Sequence, residues 1–543
     1  MNKRLFTILG LAFLLRAWGI WFGPYHPDEP LIINQALSFG AGNPFSMAYY
    51  YYPPLFQYVL FLAYTLFFVI GWIIGPFQNF HNFLFLVLIK QIPFYIIGRL
   101  VVALIGTATI IPVYLIVKKI RSESAALLAS LFMSCMYLHV RNSHYCTVDI
   151  PMTFMVILSY VYIMNIIDSG NIKNYILAGV MSGLAIATKY NAGILIPCIM
   201  IAGLARAYSK KEYSKNILRL VLSLICAGII FLIICSYCVW DYAHFIRDIK
   251  ILFNAGNNKN VPLWYRFKFD LYYGLGLPLE LLGLLGFIYL IFKKKKVGIV
   301  LGAFPFLYFL GLARVGQWFS RYVLPVVPFF AISAGIFAYD VLTRMRHKFK
   351  LKKALLYAII AIIVLSPLIR SVYMDYLLLR PDIRDLAEDW VYKNIPPGSR
   401  IAMDNPQLSP HLFSTKEQLE QKLKNFANGR SGEVKKKRLE LLISLKNYPP
   451  ENYEIYYLGE LLAEFSLHTP VVSYNRGDIL NKRIEYIITN DLDIKNNKYF
   501  YDSLYKELVL IHEFSPFKEK SSAHYSEYPY SKFHSFQAGN SLN

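Results

Sequence analysis

Long apolar runs separated by short clusters of Lys and Arg recur from the N-terminus to about residue 370, and they constrain this chain more than anything else in it. A helix needs roughly 20 apolar residues to cross the hydrocarbon of a bilayer. Runs near 5–22, 96–117, 124–140, 150–167, 175–188, 191–205, 217–238, 272–292, 297–313, 322–339 and 354–370 approach that length. Of the 543 residues, 56% are hydrophobic and 17% charged, too few polar groups to clothe a soluble core of this size. The expected fold class is a polytopic α-helical membrane protein. From about residue 380 the chain is polar and has no spanning run. Two parts follow: a membrane part over 1–375 and a C-terminal domain over 376–543. Alternating runs such as Glu485-Tyr486-Ile487-Ile488-Thr489 predict that the latter is a small mixed α/β domain. Lys435 to Arg438 reads as a solvated helix face, and the tail after about 515, rich in Ser, Tyr and His, is expected to be partly disordered.

The formal net charge is +22, which in a soluble protein would suggest a nucleic-acid partner. Here the basic residues sit in short loops between apolar runs, where topology accounts for them, so no nucleic acid is expected. Cytoplasmic loops retain Lys and Arg. Lys3 and Arg4, Lys118 to Arg121, Lys173, Arg206 to Lys215, Lys293 to Lys296 and Arg344 to Lys353 all fall on one side if about eleven spans alternate. The N-terminus is then cytoplasmic and the C-terminal domain extracytoplasmic. Lys3 and Arg4 before an apolar run resemble a signal peptide, but no small-residue cleavage site follows, so an uncleaved first span is expected. The segment 55–75 is also apolar enough to cross. A lone crossing there would swap every later cluster to the other side. It must lie in the interface, re-enter, or pair with 83–97 to make thirteen spans.

The six cysteines lie in or beside apolar runs with neither metal-type spacing nor a disulfide framework. Cys235 and Cys238 form a CxxC inside an apolar helix, a packing position. Other residues gather where chemistry is possible: His26, Asp28, Glu29, Asp149, Lys189, Asp241, Arg314 and Arg321 all fall near the outer ends of spans. Ionisable groups at that boundary can meet both a lipid phosphate and a water-soluble substrate. Asp28 and Glu29 can supply a general base and a charge stabiliser, or they belong to a solvated turn. Asp149, ahead of Pro151, suits either a helix N-cap or a cavity carboxylate. Lys189, Arg314 and Arg321 can stabilise charge on a phosphate leaving group, or anchor helix ends at headgroup level. Trp240-Asp241-Tyr242 shares three letters with the WWDYG signature of oligosaccharyltransferases, but its flanks and its position between spans differ, so the likeness is read as chance. No GxxxxGK[ST], GxSxG or HExxH motif occurs.

Ordered pieces along 1–405 carry a family resemblance. They are HPDE at His26 to Glu29, YPPL at Tyr52 to Leu55, HVRNSHYCTVDIP from His139 to Pro151, and ATKYNAG from Ala187 to Gly193. RYVLPVVPF from Arg321 to Phe329 follows, then RDLAEDWVYKNIPPGSRIA from Arg384 to Ala402. The sequence resembles the GT-C superfamily of membrane glycosyltransferases, nearest the bacterial relatives of protein O-mannosyltransferases and the lipid A aminoarabinose transferase. The resemblance implies an outer active site fed by a polyprenyl-phosphate sugar, transfer to a protein, lipid or glycan acceptor, and inversion at the anomeric carbon. It assigns acceptor activation to Asp28, with Glu29 beside it, and places Asp149 in the same cavity. His26, Tyr52, His144, Lys189, Tyr190, Arg314, Arg321 and Tyr322 are the expected substrate-binding residues. No cofactor is required by the sequence; a divalent cation held by Asp28, Asp149 and His26 is the one metal site it leaves open. The competing class is a transporter or lipid flippase with an ionisable pathway. That reading asks for internal repeats and mid-membrane charges, and neither is visible.

Overall fold

The structure, a computed structural model, describes residues 3–23, 26–41, 47, 49–77, 79–211, 213–256, 261–314, 319–404, 409–424, 430–458, 471–472, 474–504, 508–514 and 536–539. Most of the tail expected to be disordered lies outside these. The chain divides into two compact units: Met1–Ile20, Leu31–Ile70 and Phe94–Leu378 form the first, and Trp21–Pro30, Gly71–Pro93 and Leu379–Asn543 the second.

The helices up to the first long span pair are α1 (Lys3–Ala17), α2 (Glu29–Ser38), α3 (Leu55–Ile74), α4 (Phe80–Leu88), α5 (Ile92–Ala108) and α6 (Ile110–Ile120). Then come α7 (Glu123–Cys135), α8 (Tyr137–Asn142), α9 (Asp149–Ser169), α10 (Ile172–Ile186), α11 (Leu195–Lys210), α12 (Tyr213–Ile234), α13 (Tyr237–Trp240) and α14 (Tyr242–Gly256). The first unit closes with α15 (Leu263–Tyr265), α16 (Tyr272–Leu275), α17 (Leu277–Lys293), α18 (Lys295–Leu312), α19 (Val327–Phe349) and α20 (Lys353–Leu378). Among the described residues, eight helices are long and apolar enough to cross a membrane, or nine if a bent pair counts as one span. That pair, Leu263–Leu275 with Leu277–Lys293, turns through 116°. The hinge is Gly276, whose φ of +82° a side chain would resist.

Each of the eleven runs read from the sequence overlaps at least one helix, though 96–117, 124–140 and 272–292 are each broken into two, and three of the helices are short. α7 and α10 have 13 and 15 residues, and α1 has 15, so each is about 20 Å long rather than the roughly 30 Å of the hydrocarbon. Tight packing compensates. α10 presents Gly179 and Gly183 to Ser223 and Ala227 of α12; a Cβ on Gly183 would lie 2.6 Å from the Ala227 carbonyl oxygen. Small residues one turn apart let helices approach when water supplies no driving force between them.

The first unit has two chemically distinct ends, and α9 measures the separation. Asp168, in its last turn, takes an ion pair from Lys119 at 2.8 Å, while Arg206 donates to the Asp168 carbonyl at 2.9 Å. Arg121 pairs with Asp340 at 2.6 Å, and Lys294 Nζ donates to the Ile120 carbonyl. The basic clusters near 120, 206, 294 and 340 therefore share one end, as the charge pattern requires. Asp149 opens α9 nineteen residues before Asp168, about 28 Å away.

The segment 55–97 satisfies the parity argument. α3 starts at the Asp149 end, where the Leu55 N–H donates to the Ala187 carbonyl. α5 starts at that end too: Arg99 donates to the Ile20 carbonyl, and Tyr64 of α3 donates to the Phe94 carbonyl. α3 has the length of a span, but α4 has nine residues, about 14 Å, too short to cross on its own.

In the second unit a six-stranded mixed sheet has the order β3-β2-β1-β4-β6-β5. β1 (Arg400–Met403) lies between β2 (Glu454–Leu458) and β4 (Tyr486–Asn490), parallel to both. β3 (Val471–Val472) extends the parallel part; β5 (Leu510–Phe514) and β6 (Phe536–Gly539) run antiparallel. Helix α21 (Ile383–Asn394) lays Ile383, Ala387 and Val391 on β1, β2 and β4. The mixed α/β character expected from alternating runs is present.

Candidate active site

Asp149 is the first residue of α9 and is almost fully buried. The capping role open to it in the sequence is not the one it takes. Val148 occupies the cap position with no side-chain bond, and the Asp149 carboxylate accepts from Lys189 Nζ at 2.6 Å. Lys189 stands in extended backbone between the end of α10 and the 3-10 turn Tyr190–Ile194. That turn delivers Tyr190 and Asn191 to the same end of the bundle. The Lys189 ammonium lies 5.9 Å from the centre of the Tyr52 ring and 5.4 Å from that of Tyr322. Two aromatic faces and one carboxylate thus hold a cation that is only 14% exposed.

Arg321 enters from a second 3-10 turn, Ser320–Val326, which leads into α19. Its guanidinium stacks on Phe319 at 4.5 Å and lies 6.0 Å from the Tyr322 ring. Tyr322 therefore touches both cations. On the far side of the turn Arg266 donates to the Phe319 carbonyl and forms a fully enclosed ion pair with Asp270 at 2.9 Å. Asn191 donates to the Tyr308 hydroxyl at 2.7 Å. Chemically, Lys189 and Arg321 share the Tyr322 ring beside the buried Asp149 carboxylate.

Tyr190 points into a neighbouring tyrosine network that sequence reasoning missed. Its hydroxyl donates to the Tyr50 carbonyl at 2.9 Å and lies 2.7 Å from the Tyr237 hydroxyl, while Tyr50 stacks on Tyr237 at 4.1 Å. The Tyr50 hydroxyl donates to Asp241 and its N–H to Asp248. His244 closes on Asp241 at 2.7 Å. A signal existed: four tyrosines run from Tyr49 to Tyr52 ahead of Pro53-Pro54, and Asp241, His244 and Asp248 repeat at helical spacing. Asp241 thus belongs to this end through Tyr50, not through the three-letter likeness around it.

Other expected residues have different surroundings. His144 is fully buried; its ring nitrogens lie 3.0 Å from the Val140 and Trp18 carbonyls, and the Asp375 carboxylate is 3.2 Å away. This makes it a brace between α1, α8 and α20. Arg314 is exposed just beyond α18. His26, Asp28 and Glu29 belong to the second unit. There the Asp28 N–H donates to His26 Nδ1 at 3.2 Å and the Glu29 N–H to the His26 carbonyl at 3.1 Å. Glu29 is fully buried, whereas Asp28 keeps contact with solvent. Among the described residues, no three His, Cys, Asp or Glu side chains come together as a metal site.

Residues 84–240 match the family model for dolichyl-phosphate-mannose-protein mannosyltransferase. An uncharacterized protein of Aquifex aeolicus (strain VF5) is 25% identical over 284 residues, 50% of this chain and 54% of that protein. The chain thus spans about half the length of that curated relative. Among solved structures, ArnT from Cupriavidus metallidurans in the apo state matches with a TM-score of 0.57 and 13% identity, over 98% of this chain and 97% of that one. The same protein bound to undecaprenyl phosphate matches at 0.55. The archaeal oligosaccharyltransferase AglB from Archaeoglobus fulgidus, in complex with an inhibitory peptide and a dolichol-phosphate, matches at 0.52 and 12% identity, over 95% and 73%. At such identities the likeness is one of fold, and the fold is the same in each.

Proposed function

We propose that this chain, which has the GT-C fold of the membrane glycosyltransferases, moves a sugar from a polyprenyl-phosphate donor to an acceptor at the Asp149 end of the membrane unit. The observation that carries this reading is the Lys189 ammonium, set against Asp149 and between two tyrosine rings, with Arg321 one ring away. A departing lipid phosphate gains negative charge as the glycosidic bond breaks. Fixed cations in a partly dry site stabilise that charge without reorganising. Supporting the donor class, a relative in fold was captured with undecaprenyl phosphate and another with a dolichol-phosphate.

In the proposed reaction the acceptor oxygen attacks the anomeric carbon while the bond from that carbon to the phosphate oxygen breaks. The electron pair leaves on the polyprenyl phosphate, beside Lys189 and Arg321. The acceptor proton passes to a carboxylate base, the role that the family resemblance gives to Asp28, and direct displacement inverts the anomeric centre. Asp149 acts through Lys189: it holds the ammonium in place and is a positioning residue. Sugar and acceptor enter from outside, the face opposite the basic loops.

The decisive experiment is transfer from synthetic polyprenyl-phosphate sugars by the purified chain in proteoliposomes. Asp28→Asn should abolish product while membrane insertion is unchanged, and the wild type should release polyprenyl phosphate in equal amount to glycosylated product. Undiminished turnover in Asp28→Asn would remove the base assignment. Solute movement with no consumption of any lipid-linked sugar would establish a transporter instead.

A further inference from the structure

At the opposite end of the first unit, about 30 Å from Asp149 by the length of α9, a second site is formed that the transfer reaction does not use. A cavity of about 350 Å³ opens between α6, α17 and α19. Four cations line it, Arg121, Lys293, Lys294 and Arg344, against a single carboxylate, Asp340. That carboxylate is already satisfied: Arg121 Nε donates to one oxygen at 2.6 Å and the Tyr289 hydroxyl to the other at 2.7 Å. Lys294 is tied to the Ile120 carbonyl, and Arg344 lies over the Tyr289 ring at 5.9 Å. The wall therefore keeps a surplus of positive charge arranged around one hydroxyl and the Thr343 side chain. Four cations lining one cavity against a single carboxylate favour a bound anion between them.

We propose that this cavity binds the phosphodiester headgroup of an anionic membrane lipid. A bare phosphate would satisfy the cations equally, but it would not use the neighbouring surface. Leu281, Leu285, Ile288 and Phe292 form an exposed apolar stripe along the adjoining face of α17. Acyl chains lying on that stripe would bring a headgroup to the mouth of the cavity. The basic end is also where the charge pattern puts the anionic leaflet surface, and basic pockets between transmembrane helices suit such headgroups. The assignment stands apart from sugar transfer, since none of these residues belongs to the Lys189 cluster.

Native mass spectrometry of the full chain, released from nanodiscs of mixed phosphatidylglycerol and phosphatidylcholine, tests the proposal. The wild type should retain phosphatidylglycerol in preference to phosphatidylcholine, and 1 M salt should erase the preference. Lys293→Ala with Arg344→Ala should lower the retained phosphatidylglycerol roughly tenfold, leaving the Arg121–Asp340 pair that joins α6 to α19. The control, Lys348→Ala with Lys352→Ala, removes two exposed cations outside the cavity and should retain the lipid. Equal loss in both double variants would mean a diffuse surface attraction and overturn the site. The salt response of the wild type reads the same property without relying on a variant that folds. If inorganic phosphate raised the melting temperature as much as phosphatidylglycerol while no lipid were retained, the cavity would be an anion site and the lipid assignment would fall.

Discussion

Two ion pairs at opposite ends of the membrane unit, Asp149–Lys189 and Asp340–Arg121, differ in kind. Asp149 and Lys189 are 3% and 14% exposed and are shut in by tyrosine rings. Asp340 and Arg121 are 10% and 41% exposed, in an open cavity with three more cations. A buried pair costs several kcal/mol of desolvation per ion, so its geometry must be excellent to persist. An open pair is screened and contributes about 1 kcal/mol or less. One end therefore holds a charge in an enclosed, fixed geometry, and the other offers a broad positive field. The proposed reaction centre and the proposed lipid site thus differ in how far their charges are shut away from solvent.

The strongest way to break this contrast is at Lys189. Lys189→Ala should reduce turnover by about 10²- to 10³-fold, the loss seen when a transition-state charge stabiliser is removed. It should also destabilise the fold by about 3–5 kcal/mol, because Asp149 is left buried and unpaired. Lys189→Met with Asp149→Asn should recover the melting temperature but not the turnover; recovery of both would reduce the pair to a structural one. Next in size is Arg321→Lys. A planar guanidinium stacked on Phe319 cannot be copied by an ammonium, so roughly tenfold lower kcat/KM is expected, measured with the same lipid-linked donor. Unchanged kinetics would confine Arg321 to packing. The smallest effect belongs to the other end: Asp340→Asn should leave transfer within about twofold of wild type and shift stability by about 1 kcal/mol or less. A large fall in transfer there would mean that the two ends are coupled, and the contrast would fail.

Legibility from sequence followed the range of the interaction. Asp149, Lys189 and Arg321 are legible as candidates because each flanks an apolar run, and run boundaries are visible one residue at a time; Tyr322 enters only through the family resemblance. Their pairing was not visible, since Asp149 and Lys189 are separated by two helices and meet only when α9 and α10 pack. His144 stood in the same ordered piece as Asp149, yet its ring braces α1, α8 and α20. Five positions along a chain that turns between helices do not preserve direction. The tyrosine network was missed for a related reason: Tyr50 meets Asp241 and Asp248 across about two hundred residues, and a Tyr run in an apolar chain looks like packing.

Hydropathy and charge determined the class of this protein unaided, because the free energy of placing a residue in hydrocarbon depends mostly on that residue. The same additivity assigned the Lys and Arg clusters to one side, and parity then required that 55–97 begin and end at the other. What the tertiary structure alone decided is partnership: which carboxylate holds which cation, which histidine is enclosed, and where a helix bends at Gly276. Those outcomes depend on distances and directions between distant segments. Such quantities belong to pairs of residues, and no single position in the chain carries them.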